Sequence, residues 1–289
     1  MRWLTPLALV IGGCGGWGAA GSGCGVVEGP RALPGELAET SGVAPSLRTP
    51  GAYWTHSDDR RTAEIWAVDA RGGVLGTIAL DGIRSFDLED VAVAPCPEGS
   101  CIYLGDVGDN YAERDTLVVF RLAEPEVSAR SVTPVPLRFV LPNGPRDAEA
   151  IFVLPGEQLF IVTKGSEAPI AVYRYPPPLR PDETVTLEEV QLLSETPRVL
   201  PRQVTGASAS SDGTVVVLRT YETLLFHRWD GSKLVPLEEG TVNLRSLREA
   251  QGEGVGISND GSVVLTSEGG PARASGSITV LRCRFGDTD

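Results

Sequence analysis

Residues 89–106 read EDVAVAPCPEGSCIYLGD, and how this segment divides decides the fold. An acidic pair opens an apolar run, a Pro-Glu-Gly-Ser link follows, and a second apolar run closes on another acid. Both runs are short and rich in aliphatic residues, and a turn separates them, so the segment reads as two antiparallel strands. The opening then recurs. SGVA at 41, EDVA at 89, EAIF at 149, TGAS at 205 and EGVG at 253 are separated by 48, 60, 56 and 48 residues. Repetition at this spacing points to an array of similar units closed on one another.

Each unit keeps the same order. After the opening strand and a turn comes a second strand, in AYWTHSDD, CIYLGDVGDN, QLFIVTKGS, TVVVLRTYE and SVVLTSEGG. A third follows, in EIWAVDA, LVVFRLAEP, IAVYRYPPP, LLFHRWDG and SITVLRCRF. A weaker fourth run ends the first four units, as in GVLGTIALDG and VTPVPLRFVLP. SSDGTVVVL and SNDGSVVLT place Asp-Gly between strands, a strong hairpin signal. No long segment has helical period, and VNLRSLREAQ at 242–251 is at most a short connecting turn. Four strands per unit define an all-β β-propeller of five blades, with a divergent sixth inside the 60-residue interval left open. The fifth unit stops after three strands at Cys283, and the residues from Cys24 to Leu37 are available to supply its fourth. The ring then closes through an N-terminal strand in the last blade.

Cysteine positions fit this closure. Cys96 and Cys101 flank the PEGS turn, and Cys24 and Cys283 lie near the two ends of the chain, so two disulfides are expected. A metal site is the competing use, but neither spacing is that of a CxxC pair. Residues 1–13 read as a signal peptide, with MRW carrying one positive charge and LTPLALVI forming an eight-residue apolar run. IGGC resembles the lipobox of bacterial lipoproteins, which implies lipidation at Cys14; simple cleavage of a secretory signal is the alternative. Residues 14–24 form a Gly-rich tether, and 25–289 are one propeller domain. The expected location is therefore outside the cytoplasm, lipid-anchored in the cell envelope or secreted, with no membrane contact beyond the anchor and a monomeric chain.

The formal charge is −13, from 38 acids against 25 bases, which disfavours a nucleic-acid partner. In a propeller the first strand of each blade lines the central channel, and its start lies at one mouth. Asp87, Glu89, Asp90, Asp147, Glu149, Gln251 and Glu253 are thereby expected to converge from three blades. The second strand runs back to the same mouth and brings His56, Asp58, Asp106, Asp109, Asn110, Lys164, Arg219 and Glu268. Many carboxylates meeting two cations make a candidate ligand-binding mouth. The expected cofactor is a hard divalent cation, Ca²⁺, among Glu89, Asp106, Asp109 and Glu149, since oxygen donors on a Gly-bent loop suit calcium better than zinc. Carboxylates at strand starts also serve simply to register neighbouring blades, and that reading stands beside the ligand one.

Other chemistry is poorly provided for. There is no GxSxG, HExxH or P-loop. His56 is a candidate base or metal ligand, but in HSD the neighbours on a strand point to opposite faces, so the run is not a triad. His227 is the weaker candidate of the two histidines. Paired carboxylates suit glycoside hydrolysis, yet few aromatics stand near them for sugar stacking.

The ordered set SGVA, DLEDVAV, GDVGDN, DAEAIFV, TGASAS and QGEGVGI resembles a family of exported bacterial propeller proteins, mostly hypothetical proteins or lipoproteins, over residues 36–268. More distantly it is similar to phytase-like propellers, which bind calcium through acidic residues at the channel mouth. The resemblance implies the fold. It implies two expectations for function: a module binding a small ligand, ion or envelope partner at the acidic mouth, or a calcium-dependent hydrolase of phosphate esters. Against the second, the cations available to hold phosphate reduce to Lys164 and Arg219.

Overall fold

The computed structural model describes residues 23–58, 63–270 and 274–284. The expected signal peptide and Cys14 lie outside these residues. Strands form five antiparallel blades in sequence order, each beginning at the channel and stepping outward. The innermost strands are Thr40–Pro45, Leu88–Cys96, Ala148–Leu154, Val204–Ala209 and Gln251–Ile257. All five repeat openings lie wholly inside them, four starting at the second residue of the strand and EGVG at the third. No α-helix occurs among the described residues, and the expected turn near 245 is Arg245–Leu247, one of two 3₁₀ turns there, the other being Gly35–Leu37.

Both faces of every blade are covered, which is why the strands read as near-continuous apolar runs. In Gly99–Asp106 of the second blade, Ile102 and Leu104 pack toward the first blade, while Cys101 and Tyr103 pack toward the third. The buried residues fall into five clusters, one at each blade-to-blade interface. Alternation in a strand sends successive side chains to opposite faces, so each blade contributes to two interfaces at once.

Closure runs as the unit count required. Cys24–Ala32 pairs antiparallel with Ser277–Cys283 and becomes the fourth strand of the fifth blade, with Cys24 opposite Cys283 in register. The Cys24–Cys283 disulfide joins the chain ends, and Cys96–Cys101 staples the hairpin of the second blade.

One stretch divides differently from its reading. From its sequence VTPVPLRFVLP reads as a single fourth strand. Ser131–Val132 instead adds parallel to the edge strand Val74–Leu80 of the first blade, and only Val135–Val140 joins the second. Pro134 separates the two pieces, because proline cannot donate to a ladder and so marks where pairing changes hands. Thr184–Thr186 covers the edge of the second blade in the same way. Two exposed sheet edges are thus capped by the following blade's own loop.

Candidate functional site: an acidic cup over a sealed channel

Every inner strand slips out of register at the same place, just after its first paired residues. The shifts fall between Thr40 and Val43, Leu88 and Asp90, Ala148 and Ala150, Val204 and Gly206, and Gly252 and Val255. A bulge re-aims the side chain it carries. The five residues that open these shifts are Ser41, Glu89, Glu149, Thr205 and Glu253. Ser41 Oγ donates to the Glu89 carbonyl at 2.6 Å and Thr205 Oγ1 to the Glu253 carbonyl at 3.0 Å, so two of the five tie neighbouring blades together. The other three are carboxylates.

The next residue in each blade is Gly42, Asp90, Ala150, Gly206 or Gly254, and here one side chain closes the channel. Asp90 Oδ2 accepts from the Ile151 N–H at 2.9 Å and the Ala207 N–H at 3.1 Å, and Oδ1 accepts from the Val91 N–H at 2.9 Å. A Cβ on Gly42 would lie 2.7 Å from Asp90 Oδ1. A carboxylate rooted in the second blade that reaches the inner strands of the first, third and fourth lies on the axis. The mouth is therefore a blind cup. Asp90, expected to line the mouth, is fully buried and is the floor's internal fastening. Burial pushes its pKa well up, and the three backbone N–H groups work against that shift.

Two further sets of equivalent positions build the wall. Two residues before each bulge stand Glu39, Asp87, Asp147, Gln203 and Gln251, and just past the second strand's matched end stand Asp58, Val107, Lys164, Tyr221 and Glu268. Across these fifteen positions there are eight carboxylates and one cation. Lys164 Nζ sits 2.5 Å from Glu149 Oε1 and 3.5 Å from Asp147 Oδ2. Burial opposes its charge, but the two acids outweigh that and raise its pKa.

Four of these carboxylates hold protons strongly. Burial raises Glu89, and Glu149, Asp58 and Asp87 add to the shift against Lys164. Glu253 is raised by burial and then by Glu149 and Glu268. Burial pushes Glu149 up to about 8, with Lys164 opposing. Glu268 rises to about 7 through burial and the charge of Glu39. These mutual effects show the acids of four blades facing one space. Tyr221 belongs to it as well, its hydroxyl pKa raised by burial and by Glu253.

Within the cup, Asp58, Asp87 and Glu89 bring carboxylate oxygens within 4.8 Å of one another, an all-oxygen set suited to a hard cation. Gly108 makes this approach possible, since a Cβ there would meet Glu89 Oε1 at 2.2 Å and Asp87 Oδ2 at 2.6 Å. The expected metal set of Glu89, Asp106, Asp109 and Glu149 is not gathered in this way. Asp106 accepts from the Phe86 and Asp87 N–H groups and pairs with Arg114 at 2.8 Å. Asp109 accepts from the Glu113 and Arg114 N–H groups, closing its own loop, and Asn110 at that loop is exposed. Arg219 is also not at the cup surface. It is fully buried between the fourth and fifth blades, with Nη1 donating to the Gly254 and Thr266 carbonyls and Nη2 held by Glu249 at 2.5 Å. His56 is fully buried too, and burial lowers its pKa to about 4, leaving it neutral. Cys96 and Cys101 stand near Glu98, but their sulfurs are committed to each other.

No family model matches the sequence, and no curated protein matches it. Solved structures do. The chain aligns with the PQQ-bound aldose sugar dehydrogenase of Streptomyces coelicolor at 14% identity and a TM-score of 0.52, over 90% of this chain and 98% of that one. The apo soluble aldose sugar dehydrogenase of Escherichia coli aligns at 12% identity and a TM-score of 0.49, over 90% and 99%. A gluconolactonase from Xanthomonas campestris aligns at 11% identity and a TM-score of 0.47, over 90% and 89%. At this identity the likeness is one of fold: the chain is an all-β five-bladed propeller.

Proposed function

We propose that this protein is an exported ligand-binding propeller whose acidic cup takes up a hard divalent cation, Ca²⁺ in the first instance, through Asp58, Asp87 and Glu89 with Glu149 adjoining. The carrying observation is the donor set itself: carboxylate oxygens of Asp58, Asp87 and Glu89 lie within 4.8 Å of one another, in a cup where fifteen equivalent described positions carry eight carboxylates and one lysine. Several carboxylates held together ionise only at a cost, which a bound cation offsets. Export and lipid attachment are supported by the apolar N-terminal run, IGGC and the cysteine pairs, which suit an oxidising compartment. Hydrolysis of phosphate esters has less support. Lys164 and Arg219 are both engaged by carboxylates, so the cup offers a phosphate group a handhold chiefly through a bound cation. A phosphoesterase and glycosidase panel run with calcium separates the readings: turnover abolished by Glu89→Gln would replace the binding module with an enzyme.

Calcium titration followed by calorimetry tests the cation itself. At a hundredfold excess over its dissociation constant it should stabilise the protein by about 2.7 kcal/mol. An unchanged melting temperature between chelator and millimolar calcium would leave the cup as hydrogen bonding between blades. Gly108→Ala is expected to displace Glu89 and Asp87, since the added Cβ would lie 2.2 Å from Glu89 Oε1 and 2.8 Å from Asp87 Cβ, and to weaken calcium at least tenfold when the affinity is measured on the folded variant; wild-type affinity in that variant counts against the donor set.

The pH dependence has a definite sign. Glu149 and Glu268 keep protons in the folded state that the unfolded chain releases at ordinary carboxylate pH. Their contribution to stability is complete below the unfolded value and is lost as pH rises through about 7 and about 8. Calcium-free protein should therefore melt lower at pH 8.5 than at pH 6, and calcium affinity should rise across the same window. Melting series over this range check both: the calcium-free melting temperature should fall with pH while the increment added by a fixed calcium concentration grows.

A further inference from the structure

The interface between the third and fourth blades opens into a cleft of about 490 Å³ with a character opposite to that of the cup. Its wall is built from Ile170, Leu218, Leu225 and Leu234, and its rim carries Arg198 and Arg202. No carboxylate lines it, in a chain whose net charge is −13. Neither guanidinium takes part in an ion pair or side-chain hydrogen bond among the described residues. The loop that bears them is nevertheless fixed: the Arg198 N–H donates to the Gly165 carbonyl at 2.6 Å, and Gln203 Nε2 donates to the Arg198 carbonyl at 3.1 Å. At the outer end, Gln191 clasps the backbone of Leu234, accepting its N–H at 2.8 Å and donating to its carbonyl at 3.2 Å. The cleft is thus preformed and closed at its back by the two blades that flank it.

Its approach is apolar as well. Leu192 is 52% exposed, Val199 77% and Leu200 65%, and the last two lie on the arginine loop itself. Large aliphatic side chains left in water beside a preformed apolar cleft mark a place where apolar surface is to be buried. Two unpaired guanidiniums at its rim select the sign of the ligand's head, since Arg presents a planar fork matched to carboxylate. We propose that this cleft binds an amphiphilic carboxylate, with its alkyl tail on the Leu218–Leu225–Leu234 wall and its head on Arg198 and Arg202. His227 lies on the same wall and gives its Nδ1–H to the Leu225 carbonyl at 3.0 Å. Burial keeps it from adding a charge. This site is independent of the acidic cup.

Decanoate below its micellar concentration is the probe, titrated calorimetrically into the full disulfide-bonded chain. The expected result is saturable binding of one decanoate, weakened at least tenfold in the Arg198→Ala/Arg202→Ala variant and absent for decyltrimethylammonium, which has the same tail and the opposite charge. Thr223→Trp, which fills the cleft while both arginines remain, should abolish binding too, so the test stands even if the arginine variant folds poorly. Glu89→Gln should bind decanoate as wild type does, so failure of the cup reading leaves this result untouched. The proposal is overturned by no saturable decanoate heat, by equal affinity in the arginine and Thr223→Trp variants, or by equal affinity for the cationic amphiphile. It is also overturned by binding seen only with phosphatidylglycerol vesicles, which would make the arginine loop a membrane contact and not a ligand cleft.

Discussion

Asp90→Ala is expected to destabilise the fold by about 5 kcal/mol, because three buried N–H donors lose their acceptor at once and each unsatisfied donor costs about 1–3 kcal/mol. Val91, Ile151 and Ala207 are fully buried, so water cannot replace the carboxylate from outside. A loss of that size is comparable with the whole stability of many domains. Urea unfolding measures it. Asp90→Asn should lie between the two, since an amide oxygen can serve Ile151 and Ala207 in place of Oδ2 while the amide nitrogen faces the Val91 N–H donor. An alanine variant within about 1 kcal/mol of wild type would mean that the axis is not held by this side chain. The prediction separates floor from wall: substitutions at Asp90 act on folding, whereas Glu89→Gln, one residue earlier, acts on the cation.

The second large effect is expected at the ring closure. Cys24 and Cys283 are separated by 259 residues, and in the chain-entropy account a loop of that length stabilises by about 5.5 kcal/mol. The separation in Cys96–Cys101 is 5, for which the same account gives about 2 kcal/mol. Cys24→Ser should therefore lower the melting temperature by roughly 10–20 °C and Cys96→Ser by less than half of that. The reason is topological. Cys24–Ala32 is an edge strand that joins the fifth blade by pairing with Ser277–Cys283, so releasing its end loosens the strand that completes that blade. Intact-mass measurement with and without reductant establishes both bridges first. Equal melting temperatures for the two variants would mean that the hydrogen bonds of the fifth blade, without the sulfurs, hold the ring shut.

Most of what the residues announced locally, the fold repeats; the division of VTPVPLRFVLP between two blades is the exception. Five units, four strands each, a truncated last unit and cysteines at both ends are legible because strand period, Asp-Gly turns and repeat spacing are properties of short stretches. The acidity of one mouth was legible too, since the start of each inner strand and the end of its neighbour are fixed by antiparallel pairing. The fate of each acid was not. Glu89 and Asp90 are neighbours, yet a one-residue register shift sends Glu89 to the cup and Asp90 to the axis. Arg219 turns inward because Gly252 leaves room for it, a Cβ there lying 2.1 Å from its Nη2. Glu39, Tyr221 and Glu249 carried no motif, and Tyr221 joins the cup only because it follows the second strand in the same place as Lys164 and Glu268. Periodicity determines which strands form and in what order. Which side chains meet is decided by bulges and close backbone contacts between blades, and those depend on residues dozens of positions apart.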